Sequence, residues 1–116
     1  MAHDECIFCQ IAEGEISADV IHEDEHVVAF RDINPQAPTH VLIIPREHVA
    51  SVDDLEEDHA ELVGRLFLAA GAIARDEGLD DGGYRLVVNT GAGAGQSVFH
   101  IHLHLLGGRA MKWPPG

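Results

Sequence analysis

Three histidines stand at alternate positions near the C-terminus, in the run His100-Ile101-His102-Leu103-His104-Leu105-Leu106. Side chains of an extended strand alternate between faces, so residues two apart share one. The spacing predicts three imidazoles on one side and Ile101, Leu103 and Leu105 in a core on the other. Imidazole titrates near neutrality, which suits nucleophilic and acid–base chemistry. Two other readings compete. A pair of histidines at i, i+2 suits one zinc ion, but on a strand rising about 3.3 Å per residue the outer pair would lie roughly 13 Å apart. Surface histidines of no consequence are the other reading.

The segment just upstream favours catalysis. Residues 91–97 read Gly-Ala-Gly-Ala-Gly-Gln-Ser. Alternating glycines let a backbone approach a ligand closely and aim N–H groups at an anion. The loop lacks the Gly-Lys-Ser/Thr of a P-loop. Its GxGxG spacing, followed by a strand, is not a dinucleotide fingerprint either. Alone it would read as a flexible turn. Ahead of the histidine row it reads as a phosphate cradle, with Gln96 and Ser97 adding side-chain donors.

Composition bounds the rest. A chain of 116 residues, 46% of them hydrophobic, is sized for one domain with a single core. The net charge is −13, from 20 acidic and 7 basic residues, and Lys112 is the only lysine. Such a surface does not attract nucleic acid. It fits a halophilic protein, working where salt screens its self-repulsion, or an ordinary acidic one. No apolar run is long enough to span a membrane. The start, Met1-Ala2-His3-Asp4-Glu5, lacks the basic and apolar regions of a signal peptide, so a cytoplasmic location is expected. In a reducing compartment the pair Cys6 and Cys9 reads as a metal half-site or a redox pair rather than a disulfide.

Patterning then supplies the elements. A short helix is expected over 6–13, ending at Gly14. Strands are expected over 19–22, 26–31, 39–44, 84–89 and 98–106. Two prolines make 34–38 a loop. One long helix is expected over 58–77, with Leu62, Leu66, Ala69 or Ala70, and Ile73 at helical spacing and Val63, Phe67 and Ala74 widening the stripe. The tail, 109–116, reads as irregular. Many strands with one long helix after three of them predict an α+β domain with a mostly antiparallel sheet.

Several blocks together resemble a known family. The run from Gln96 to Leu106 is similar to the histidine triad (HIT) signature, His-φ-His-φ-His-φ-φ with φ apolar. Cys6-Ile7-Phe8-Cys9, residues 32–40 (Asp-Ile-Asn-Pro-Gln-Ala-Pro-Thr-His) and Val87-Val88-Asn89-Thr90-Gly91 match further blocks in order. The ending, from Gly107-Gly108 to Trp113-Pro114-Pro115-Gly116, resembles the Hint branch. This resemblance implies a single HIT domain over 1–116. It also implies a homodimer whose two five-stranded sheets join into a continuous ten-stranded one, with the tail 107–116 at the dimer and active-site edge. The activity implied is hydrolysis of purine nucleoside phosphoramidates and aminoacyl-adenylates, releasing AMP or GMP.

By the same resemblance His102 is the nucleophile that forms a nucleotidyl-histidine. His100 contributes a nearby backbone carbonyl, His104 and His40 stand near the phosphate, and Ser97 helps protonate the leaving amine. Asn89, Gly95, Gln96 and the Ser97 amide match phosphate-contacting positions. Asp32 matches the ribose-binding carboxylate, although a turn cap is the plainer reading of an Asp there. Ile7, Phe8, Ile11, Ile16, Phe30 and Ile33 correspond to a purine slot, with core packing the plainer reading. Trp113 matches a tail residue that reaches the partner subunit's site. No cofactor is required for catalysis. A structural zinc on Cys6, Cys9, His48 and His100 is implied. The rivals are a dinucleoside polyphosphate hydrolase of the same superfamily and a nucleotide-binding regulatory module without catalytic purpose.

Overall fold

The computed structural model describes residues 5–116. The expected acidic start over 1–4 lies outside the described residues. The elements in chain order are α1 (Ile7–Ala12), β1 (Val20–Glu23), β2 (Val27–Arg31), β3 (Thr39–Pro45), α2 (Ala60–Asp76), β4 (Tyr84–Val87) and β5 (Leu103–Gly107). Every strand pair is antiparallel, and the sheet order is β1-β2-β3-β5-β4. The α+β architecture is the one the pattern predicts. No helix among the described residues is long and apolar enough to cross a membrane.

The sheet is covered on both faces, and alternation along each strand sorts its side chains. Val27 and Ala29 of β2, Val41 and Ile43 of β3, and Leu103 and Leu105 of β5 pack with Leu66, Ala69, Ala70, Ile73 and Ala74 of α2. Val28, Phe30, Leu42 and Ile44 pack with Phe8 and Ala12 of α1. Burial on both sides explains why β2 and β3 read as continuous apolar runs. Ile43, Ile44 and Leu105 are fully buried, each stabilising the fold by about 1.5–3 kcal/mol. His40 shares the α1 face with Leu42 through its two-residue spacing, and His104 stands opposite Leu42 in the β3–β5 register.

The ends of the elements differ from expectation for identifiable reasons. Strand β5 starts at Leu103, five residues later than predicted. Its partner β3 ends at Pro45, which has no N–H to extend the ladder. The Pro45 carbonyl instead accepts from the His100 ring at 2.8 Å, and the Ile101 N–H goes to Val49 O at 2.7 Å. Residues 98–100 are therefore bends, and the row of three histidines on one strand becomes His104 on the strand with His100 and His102 ahead of it. Strand β4 stops at Val87 because Val87 pairs with His104, next to the first residue of β5. Phe67, expected in the helix stripe, is half exposed on the outer face of α2.

At the opposite end of β5 the chain passes too close to Leu79 for any side chain. A Cβ on Gly107 would lie 2.7 and 2.8 Å from the two Leu79 methyl carbons, and Leu79 is itself buried. Gly107→Ala is expected to lower unfolding stability by about 1–3 kcal/mol through overpacking. A urea midpoint unchanged from the parent chain would contradict this close approach.

Candidate active site

The chemistry-bearing residues converge on the α1 face of the sheet. A cleft of about 460 Å³ is lined by Ile7, Phe8, Ile11, Ile16, Phe30, Asp32, Ile33, Ser97, His102 and His104, among others. All six apolar residues expected to form the slot line it. Phe8 and Phe30 are buried and also belong to the core, so Phe30 both packs in the core and lines the cleft. Ile7, Ile16 and Ile33 are exposed, Ile33 fully. Apolar side chains gathered around an open cleft with a few polar groups are a ligand-binding arrangement.

His102 sits in the wall of this cleft at 6% exposure. Its Nδ1 lies 2.8 Å from the His100 carbonyl. A carbonyl only accepts, so Nδ1 carries the proton and Nε2 keeps a lone pair. The ring packs edge-to-face with Phe8, the centroids 5.0 Å apart. Burial holds the His102 pKa below the ordinary histidine value, against the opposing pull of the His100 carbonyl and Asp32. The result is a neutral imidazole with a fixed tautomer.

His104 lies beside it, the ring centroids 5.0 Å apart. Its Nδ1 is 3.0 Å from His40 Nε2, and His40 Nε2 is 3.4 Å from Asp32 Oδ2. Burial lowers the pKa of His40, with Asp32 opposing. Burial, then the neighbouring His102 and His40, push His104 down to about 4. Asp32 does two jobs: Oδ1 caps the turn by accepting the Asn34 N–H at 2.8 Å, while Oδ2 faces His40. It follows Arg31, whose guanidinium grips Glu77 at the end of α2 through two bonds of 3.0 Å.

The glycine loop is organised differently from an open cradle. The N–H groups of Ala94, Gly95 and Gln96 bond to carbonyls within the loop. Gly91 N–H goes to Gln96 Oε1 at 2.8 Å. Buried Gln96 spends its amide nitrogen on Ala50 O and Val98 O. Gln96 thus braces the loop against the segment after β3. Gly95 adopts φ +98° and lies near the Asn89 amide. Only the Ser97 end of this loop lines the cleft. Trp113 is 83% exposed and does not line its own chain's cleft, and the tail is tied to β4 by Arg85 donating to Lys112 O at 2.8 Å.

His100 turns its ring elsewhere. Its Nδ1 is 3.4 Å from both Cys6 Sγ and Cys9 Sγ, and His48 Nδ1 is 3.2 Å from Cys9 Sγ. The four ligand atoms all lie within 4.8 Å of one another. His100 Nε2 donates to Pro45 O, which leaves its Nδ1 lone pair facing the sulfurs. Two thiols and two imidazoles at these separations fit a closed tetrahedral zinc site, which has no open position for catalysis. Burial and the neighbouring Cys6 push the Cys9 thiol up to about 12.

Leu42, Val98, Ser17, Ala18 and Arg31, none of them a site residue expected from the sequence, also line the cleft. Leu42 had a signal, its two-residue spacing from His40. The electrostatics give a direct test. In a protein with labelled histidines, His104 is expected to stay neutral on acidification until about pH 4, well below the ordinary value. An NMR titration midpoint for His104 near the free-histidine value would contradict its burial between His40 and His102.

Comparison with known proteins agrees with this geometry. A model of the HIT domain matches residues 13–111. The 14 kDa zinc-binding protein of Zea mays is 54% identical over 112 residues, which cover 95% of this chain and 87% of that protein. The purine nucleoside phosphoramidase of Escherichia coli K12 is 48% identical over 108 residues, covering 93% of this chain and 91% of the relative. The crystal structure of a HIT family hydrolase from Legionella pneumophila is similar with a TM-score of 0.94 and 57% identity, over 96% of this chain and 99% of that one. With paired histidines on an apolar cleft and matches spanning nearly its whole length, the chain belongs to the HIT domain family.

Proposed function

We propose that the chain hydrolyses the P–N bond of purine nucleoside 5′-phosphoramidates, and the acyl-phosphate bond of aminoacyl-adenylates, through a covalent nucleotide on His102, releasing AMP or GMP. The observation that carries this reading is the bond from His102 Nδ1 to the His100 carbonyl, which keeps a neutral Nε2 lone pair in the wall of the apolar cleft. The relatives named as a purine nucleoside phosphoramidase and a HIT family hydrolase support it. The purine lies against Ile7, Phe8, Ile11, Ile16, Phe30 and Ile33. Asp32 accepts from the ribose hydroxyls. Ser97 flanks the phosphate, with His104 beside it and His40 behind His104, while Gln96 braces the loop that presents Ser97.

Nε2 attacks phosphorus and forms an N–P bond as the bond to the leaving amine breaks. The amine takes a proton relayed by the Ser97 hydroxyl from solvent. The phosphorylated ring carries positive charge, which the His100 carbonyl stabilises through Nδ1–H. Water then attacks phosphorus, the N–P bond breaks, a proton passes to solvent, and His102 returns neutral. One difficult displacement is divided into two easier ones.

Strand β4 is an edge of the sheet, and the outer face of α2 exposes Phe67 and Leu68. Both support a homodimer with a continuous ten-stranded sheet, and the tail over 107–116, tied to β4, then lies at the shared edge. Trp113 would there reach the partner's cleft. The chain is read as one domain over 1–116, cytoplasmic, with its acidic surface suited to concentrated salt.

The covalent step is tested by quenching a reaction with an adenosine phosphoramidate and mapping the adduct by mass spectrometry. An AMP adduct on His102 is expected, and His102→Ala should lose at least about a thousandfold in kcat/KM. Absence of both adduct and AMP release would remove the enzyme reading, while faster turnover of dinucleoside polyphosphates would favour the rival hydrolase.

The metal reading has its own test. When bound, zinc would cross-link Cys6, Cys9, His48 and His100 and so hold the His100 carbonyl in place. Freshly purified protein is expected to contain about one zinc per chain. Cys9→Ser should lose the metal and lower kcat/KM by about 10- to 100-fold. Zinc below a tenth of an equivalent would count against the site.

A further inference from the structure

The molecule holds a second group with metal-binding donors. Asp32, His40 and His104 bring one carboxylate oxygen and two imidazole nitrogens within 4.8 Å of one another. Two histidines and a carboxylate are a common set for first-row divalent ions. This set lies inside the catalytic cluster, where an ion would tie up His104 and Asp32. Its distances alone do not separate it from the cysteine cluster.

The separation lies in one backbone bond on each histidine. The Gln36 N–H stands 3.0 Å from His40 Nδ1. A backbone amide only donates, so His40 Nδ1 must be a lone pair and the ring proton must sit on Nε2. His40 Nε2 is the atom that faces His104 Nδ1 at 3.0 Å and Asp32 Oδ2 at 3.4 Å. His104 Nδ1, facing that N–H, must then be a lone pair, and His104 carries its own proton on Nε2. At the cysteine cluster the polarity is reversed. There the backbone partner of His100 is the Pro45 carbonyl, which takes the ring proton outward and leaves a lone pair inside.

We infer that the Gln36 backbone amide keeps divalent metal ions out of the catalytic cluster by holding a proton on His40 Nε2, where an ion would bind. An ion at Nε2 displaces that proton to Nδ1. Two N–H groups then face each other at 3.0 Å in a partly buried place, and the Gln36 bond is lost. The same amide fixes the tautomers of His40 and His104 together. Gln36 is a positioning residue that acts through its main chain. This inference deepens the function proposed above and rests on it only for the word catalytic.

The test uses the full chain with its cysteine cluster filled by zinc. In wild-type protein labelled with nitrogen-15 in histidine, NMR is expected to show His40 and His104 both as Nε2–H tautomers. An Nδ1–H tautomer of His40 would overturn the inference. Proline is the one residue without an amide N–H, so Gln36→Pro is expected to release the lock. With Co²⁺ as the probe, this variant should take up a second ion about 10- to 100-fold more tightly than wild type, and His104→Ala in the same background should abolish that gain. Wild-type protein that binds a second Co²⁺ as tightly as Gln36→Pro would overturn the inference. If Gln36→Pro fails to fold, the wild-type tautomers decide alone. Neither readout requires turnover, so a chain with these tautomers and no phosphoramidase activity refutes only the function, and an active chain with Nδ1–H on His40 refutes only the lock.

Discussion

His100 is the residue on which the rest of the site depends, because it is held at three points. Its ring donates to the Pro45 carbonyl and faces the two cysteine sulfurs, and its own carbonyl accepts from His102. Each contact constrains a different part of the molecule: the end of β3, the N-terminal helix, and the His102 imidazole. A histidine with one free torsion here would let the His102 tautomer drift. Hydrogen bonds in a low-dielectric setting are electrostatically stronger than in water, which firms the brace.

The electrostatic setting follows from the same packing. The protein carries −13 overall, and the substrate proposed for its cleft is an anion. Long-range attraction cannot help. The cleft is instead mostly apolar, with His102, His104 and Ser97 among the few polar groups that line it. Neutrality of the histidines comes from burial rather than from pairing with acids, since Asp32 opposes the shift in each of His40, His102 and His104. A neutral ring is what a nitrogen nucleophile requires.

The sequence made much of this legible through periodicity. The two-residue spacing of His102 and His104, the α+β class, and the long helix all follow from patterns that a backbone must obey. The reach of β5 did not, because its end is fixed by Pro45 on another strand, and no local pattern records a missing donor across a sheet. Phe67 looked like part of the helix stripe because helical spacing alone does not fix the stripe's width. The six slot residues were identified by family resemblance, since an isoleucine in a cleft and one in a core have the same composition. The Gln36 amide was invisible in principle: every residue but proline has that N–H, and only the fold aims one at a ring.

The N-terminal helix has a further consequence for how the chain comes apart. Helix α1 has six residues, too few to persist unaided in water. Its Cys6 cap meets His100 across 94 positions of chain. Enclosing so long a stretch costs little more entropy than enclosing half of it, about 0.6 kcal/mol per doubling. The floor of the cleft thus borrows its order from a distant tether, and fraying should begin there while the central strands remain paired.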